Sequence, residues 1–112
     1  MKKFLVLCRA PLASFQALRN ASKEERQAMI DGWKAWEGKN SASIVNQGAP
    51  LGKSLRVTTT DASPMANDLG SFTIFQAESQ EALAAILKDH PHLMRSDERF
   101  IEMVEMTPMP TA

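Results

Sequence analysis

Two histidines lie two residues apart near the end of the chain, His90 and His92, and no other residue type present titrates so close to neutrality. His90 follows Ala82, Leu83, Ile86 and Leu87 at i, i+1, i+4, i+5 and i+8, which puts it on the apolar face of a helix, in its last turn. A helix C-terminus favours imidazolium there, whereas burial favours neutral imidazole. The position therefore suits a proton shuttle, or else a histidine that satisfies the last carbonyls of its helix. His92, beyond Pro91, is expected in a loop. The pair lacks a third metal ligand, since only Asp89 and Asp97 lie near, so no metal is expected.

Trp33 and Trp36 either line a pocket for a flat apolar ligand, with indole N–H groups as donors, or fill the core. Arg9, at the end of an apolar run, is suited to holding a carboxylate. Cys8, inside that run with no visible base beside it, reads as an inert core thiol. Gly48-Ala49-Pro50-Leu51-Gly52-Lys53-Ser54 imitates a phosphate-binding loop but has three residues between its glycines where that motif has four. The residues after it read as strand, not helix, and Pro50 removes an amide donor. A bulged turn is the better account.

The elements that must position these residues can be read from periodicity. Lys3 to Arg9 is a short apolar run bounded by Ala10-Pro11, the pattern of a buried strand. After a loop, Ser22-Lys23-Glu24-Glu25 forms a capping box, and Met29, Ile30, Trp33, Trp36 and Asn40 follow as one stripe of a helix ending near Asn40. Ser43 to Gln47 and Leu55 to Thr60 read as two pieces of one strand broken at Gly48 to Gly52, with Asp61 to Gly70 as the turn that follows. Ser71 to Ala77 alternates, with Phe72, Ile74 and Gln76 on one side and Thr73, Phe75 and Ala77 on the other. Ser79 caps a second helix that Pro91 ends, and Arg99 to Met106 is the last strand. The order βαββαβ predicts an α+β, ferredoxin-like domain: a four-stranded antiparallel sheet with both helices on one face.

The composition narrows the function classes. A chain of 112 residues has room for one domain, and 13 basic against 13 acidic residues give no electrostatic footprint for nucleic acid. One cysteine excludes an internal disulfide and fits a reducing cytoplasm. The apolar run after Met1-Lys2-Lys3 has five residues, too few for a signal peptide, and no segment reaches the length of a membrane span. Leu5-Val6-Leu7-Cys8 is apolar on both sides of its strand, and Phe100 to Met106 nearly so. Two helices cover one sheet face, so a second copy is expected on the other, in a two-fold homodimer. Met94, Met103, Met106 and Met109 read as adaptable packing at that seam.

The segments Trp33-Lys34-Ala35-Trp36, Gly48-Ala49-Pro50-Leu51-Gly52, Gly70-Ser71-Phe72-Thr73-Ile74 with Ala77-Glu78-Ser79, and Asp89-His90-Pro91-His92-Leu93 together resemble the YCII-related domain proteins over nearly the whole chain. That resemblance implies a dimeric α+β barrel of two ferredoxin-like units. Many proteins of this type carry a histidine–aspartate pair with the histidine in the N-terminal half, and this chain has no histidine before His90. A site of that kind would have to use His90 or His92, oriented by Asp61 or by another carboxylate that the fold or a partner subunit supplies.

The resulting expectation is a small-molecule pocket lined by Trp33, Trp36, Arg9 and His92, with His90 and Asp61 as the acid–base pair. Its reaction would be a cofactor-independent proton transfer or elimination on a small carbonyl or aromatic compound. The alternative is a non-catalytic ligand-binding or dimerisation module. A haem reading rests only on the fold and on His90 as an axial ligand.

Overall fold

In the computed structural model, which describes residues 1–110, the first apolar run becomes β1 (Lys2–Arg9). Phe4, Val6 and Cys8 are buried on one face of it, and Leu5, Leu7 and Arg9 occupy the opposite face. Two short helices follow, α1 (Leu12–Arg19) and α2 (Lys23–Lys39), then a 3-10 turn at Ser41–Ser43 and the strand β2 (Ile44–Pro50). A small ribbon, β3 (Ser54–Val57) and β4 (Ala62–Met65), precedes the long strand β5 (Leu69–Ala77), the helix α3 (Gln80–Leu87) and the last strand β6 (Phe100–Glu105). The main sheet has four strands in the order β2-β5-β1-β6, all antiparallel. This is the ferredoxin-like α+β arrangement.

Register follows the apolar pattern. Phe4 faces Phe75 and Val6 faces Thr73, so the buried residues of β1 and β5 share the helix side of the sheet, while Leu5 opposite Ile74 and Leu7 opposite Phe72 lie on the other side. The core forms at one end of the helix side. Phe4, Val6, Phe75 and Ala77 from the sheet meet Trp36 of α2 and Leu83 and Leu87 of α3. The Ser22 hydroxyl accepts the Glu25 amide at 3.1 Å, and the Ser79 hydroxyl accepts the Ala82 amide at 3.1 Å, so both expected helix starts are capped.

Three details differ from the sequence reading. Residues Leu12–Arg19, expected as loop, are helical; Pro11 sits at the N-cap, where its missing amide is harmless, and Phe15 and Leu18 fall on one side at i, i+3. The second strand is not one broken piece. The chain leaves the sheet after Pro50, and Ser54–Val57 pairs instead with Ala62–Met65 as a separate two-stranded ribbon. Pro64 is tolerated there because both strands are edges. Finally, α3 stops at Leu87, so His90 lies just beyond the helix rather than in its last turn, its amide donating to the Leu87 carbonyl at 3.0 Å.

Gly48 is where β2 bulges against β5, with φ +68°. A Cβ there would stand 1.8 Å from the Phe72 carbonyl oxygen, so no other residue fits. The would-be phosphate loop is thus part of a sheet edge and opens no helix.

Candidate functional site

At the opposite end of the same sheet face, where Cys8 and Ser71 stand side by side in the register, the helices leave a cavity of about 380 Å³. Phe15 and Leu18 of α1 and Ile30 and Trp33 of α2 form its apolar wall. Gly48, Ala49 and Pro50 of β2 form one rim, and His92, Arg95 and Arg99 from the segment between α3 and β6 form the other.

His92 is 3% exposed. Its Nε2 lies 2.8 Å from the Arg9 carbonyl oxygen and 3.1 Å from that of Phe100; carbonyls only accept, so Nε2 carries the proton and donates to both. Nδ1 is left with its lone pair and no partner among the described residues, on a residue that lines the cavity. Burial pushes the His92 pKa down; the two carbonyl bonds oppose this, and the charges of Arg99 and Arg95 reinforce it. The ring is therefore neutral at pH 7 and can accept a proton at Nδ1.

His90, also 3% exposed, lines neither this cavity nor the shallower groove described below. Its Nδ1 accepts the His92 backbone N–H at 3.0 Å, and its ring is held between Trp33 and Trp36 at centroid distances of 4.6 and 4.4 Å. Burial, with His92 next, lowers its pKa to about 4, against a smaller opposing effect of Asp89. With its lone pair committed to the backbone, His90 shapes the loop that presents His92. Of the two rings, His92 lines the cavity and keeps a free nitrogen, whereas His90 does not line it.

The other expected site residues divide. Trp33 lines the cavity. Trp36 is core: it is 5% exposed, packs against Phe75, and its indole N–H donates to Asp89 at 2.9 Å. One edge of it lines a second, more open groove of about 470 Å³ between α2 and the loop carrying Asp89, Pro91 and Arg95. Arg9 does not line the cavity: its guanidinium pairs with Asp68 at 2.8 Å and with Glu102, on the opposite face of the sheet. Asp61 sits in the turn of the β3–β4 ribbon, accepting from the Thr58 hydroxyl at 2.7 Å, and lines neither hollow. No carboxylate orients either histidine among the described residues, where both rings are set by backbone groups instead.

Four polar residues that the sequence did not single out complete the cavity. Arg95 and Arg99 line it, and neither pairs with a carboxylate among the described residues. Glu37 of α2 also lines it, its carboxyl pushed above the usual range by burial. Ser71, beside Cys8, favours the thiolate slightly, yet its buried Oγ has no formed hydrogen bond. Burial dominates at Cys8 and pushes the thiol up, so it is a poor nucleophile. Spacing hid these residues, because they come from three separate segments of the chain. Among the described residues no cluster of His, Cys, Asp and Glu could hold a metal ion, and no helix is long and apolar enough to cross a membrane.

No family model and no curated protein matches the chain. Among solved structures it is similar to 5-chloro-2-hydroxyhydroquinone dehydrochlorinase from Burkholderia phenoliruptrix, determined in complex with 2,5-dihydroxybenzoquinone: TM-score 0.53 at 20% identity, over 89% of this chain and 90% of that one. At that identity the likeness shows a common fold, and the chain is a ferredoxin-like α+β protein with a hollow on the helix side of its sheet.

Proposed function

We propose that this protein binds a small aromatic or carbonyl compound in the cavity and catalyses proton transfer or elimination on it. The observation that carries this reading is His92: a buried, neutral ring that lines the cavity, fixed in one tautomer by two carbonyls and left with an unused Nδ1. In the proposed step Nδ1 removes a proton from the carbon next to a carbonyl; the C–H electron pair becomes the carbon–carbon double bond and the carbonyl π pair moves onto the oxygen to give an enolate. Return of the proton to another atom isomerises the ligand; loss of a leaving group with the electron pair it was bonded by completes an elimination. Glu37, kept toward its protonated form by burial, is suited to deliver a proton in the isomerisation. The wall around Phe15, Ile30 and Trp33 offers an apolar surface on which a flat ligand body can lie. A ligand solved within the similar fold of the dehydrochlorinase supports the small-molecule reading.

The same reading places a second copy on the open face of the sheet, giving the dimeric barrel that the YCII resemblance implies. Phe100 and Val104 are 49% and 43% exposed there, beside Leu5, Leu7 and Ile74, an apolar surface that one chain leaves to water. Sedimentation at micromolar concentration should show a dimer.

Phenylpyruvate, an aromatic compound with an acidic hydrogen beside its carbonyl, tests the chemistry. The protein should accelerate exchange of that hydrogen in deuterated water, followed by NMR, and His92→Gln should lose about 100-fold or more of the acceleration. Binding without any acceleration would reduce the protein to the non-catalytic ligand-binding module.

A further inference from the structure

Resting on that reading, we infer that the cavity selects anions: its ligand carries a carboxylate or another oxyanion that Arg99 and Arg95 hold at the His92 end. The ionisable groups lining the hollow are Lys34, Arg95 and Arg99 against Glu37 alone, whose carboxyl burial biases toward its neutral form, an excess of at least two positive charges in a chain whose net charge is zero. Lys34 and Glu37 both belong to α2, so the uncompensated pair stands on the segment that carries His92.

The contrast with Arg9 is instructive. Arg9 takes two carboxylates, Asp68 and Glu102, whereas Arg95 and Arg99 take none among the described residues, although Asp97 and Glu98 lie between them in sequence. Arg99 is half-buried; burial, and next the charge of Arg95, pull its pKa down. Arg95 is exposed and Arg99 half-buried, so two like charges stand at one rim with no counter-charge, and a bound anion relieves their repulsion. Guanidinium is also the group that grips a carboxylate with two parallel hydrogen bonds.

The remaining wall is apolar, which asks for a flat hydrocarbon body behind the charge. The ligand class is therefore an apolar or aromatic carbonyl acid. Its oxyanion lies on the arginines, and its acidic hydrogen faces Nδ1 of His92. Arg99, nearer the buried Cys8 by the charge interaction the two share, is the principal specificity residue.

Cinnamate and cinnamamide have nearly the same shape and differ in charge, so they separate this inference from the reading beneath it. With the full-length protein, titrations followed by the NMR shift of the Trp33 indole should give cinnamate about tenfold or greater preference over the amide. Arg99→Gln should bring the ratio near one by weakening cinnamate alone, Arg99→Lys should restore part of it, and added salt should weaken cinnamate more than the amide. Equal binding of both compounds, or a ratio that Arg99→Gln and Arg95→Gln leave unchanged, overturns anion selection while the cavity stands as a ligand site. Absence of any Trp33 response to either compound overturns the site and the inference with it.

Discussion

The helix side of the sheet is built in two ways. At the Phe4–Phe75 end, α3 and the second half of α2 fill every gap: Phe4, Phe75, Leu83 and Leu87 are at most 3% exposed. At the Cys8–Ser71 end the same strands carry small and polar residues, and the cover is the thin α1, which buries no residue, together with the first half of α2. One end is packed like a solid and the other is left hollow. The boundary is Trp33 and Trp36: Trp36 belongs to the packed end, and Trp33 is the wall of the hollow. Close packing supplies stability, while a hollow gives up dispersion and apolar burial in exchange for room. Close packing and open room thus stand at opposite ends of one strand pair.

Substitutions should expose that division. Phe75→Ala, in the packed end, should remove about 4 kcal/mol of stability in urea denaturation, the range of a large aromatic deleted from a closed core. A loss under 1 kcal/mol would mean the core is looser than its burial implies. Acid is the next largest effect. His90 is depressed from 6.5 to about 4, so between those values the unfolded chain takes up a proton that the folded chain refuses. Stability should be full above pH 6.5 and should fall by about 3 kcal/mol as the pH drops toward 4. His92, depressed for the same leading reason, adds a slope of the same sign. His90→Asn, whose amide oxygen can take the His92 N–H, should flatten most of that slope in pH-resolved denaturation. Smallest of all, Ser71→Ala in the hollow end should change stability by less than about 1 kcal/mol, because it deletes a hydroxyl that has no partner. A loss comparable with that of Phe75→Ala would erase the distinction between the ends.

The packed end is also the end that was legible in the sequence. Alternation in residues 71–77 assigned Thr73, Phe75 and Ala77 to one face, and all three are buried together. The Ser22 and Ser79 caps start their helices where expected. The hollow end was read less well, for physical reasons. Helical period placed His90 on α3, but the helix stops at Leu87 and the chain turns at Pro91, so that His92 and not His90 lines the cavity. Arg9 had the right chemistry for a carboxylate, yet it lies one residue past Cys8 and so projects from the opposite face of the sheet. Arg95, Arg99 and Glu37 share no local pattern. Only the return of β6 beside β1 brings the first two to the cavity, and that is a long-range pairing that no window of sequence contains. In residues 51–65 the sequence pattern gives a strand at Leu55 but joins it to β2, and it makes Ala62–Met65 a turn, because the only partner of that segment is a short strand in a two-stranded ribbon.

The hollow also makes the fold a reporter of its own ligand. A folded chain that binds a molecule its unfolded form ignores is stabilised by about 2.7 kcal/mol when that molecule is present at 100 times its dissociation constant. For a chain of this length each kilocalorie raises the melting temperature by about 4 °C, so a well-matched occupant should delay melting by roughly 10 °C. A collection of small acids can therefore be ranked by heat alone, before any reaction has been assigned to the protein.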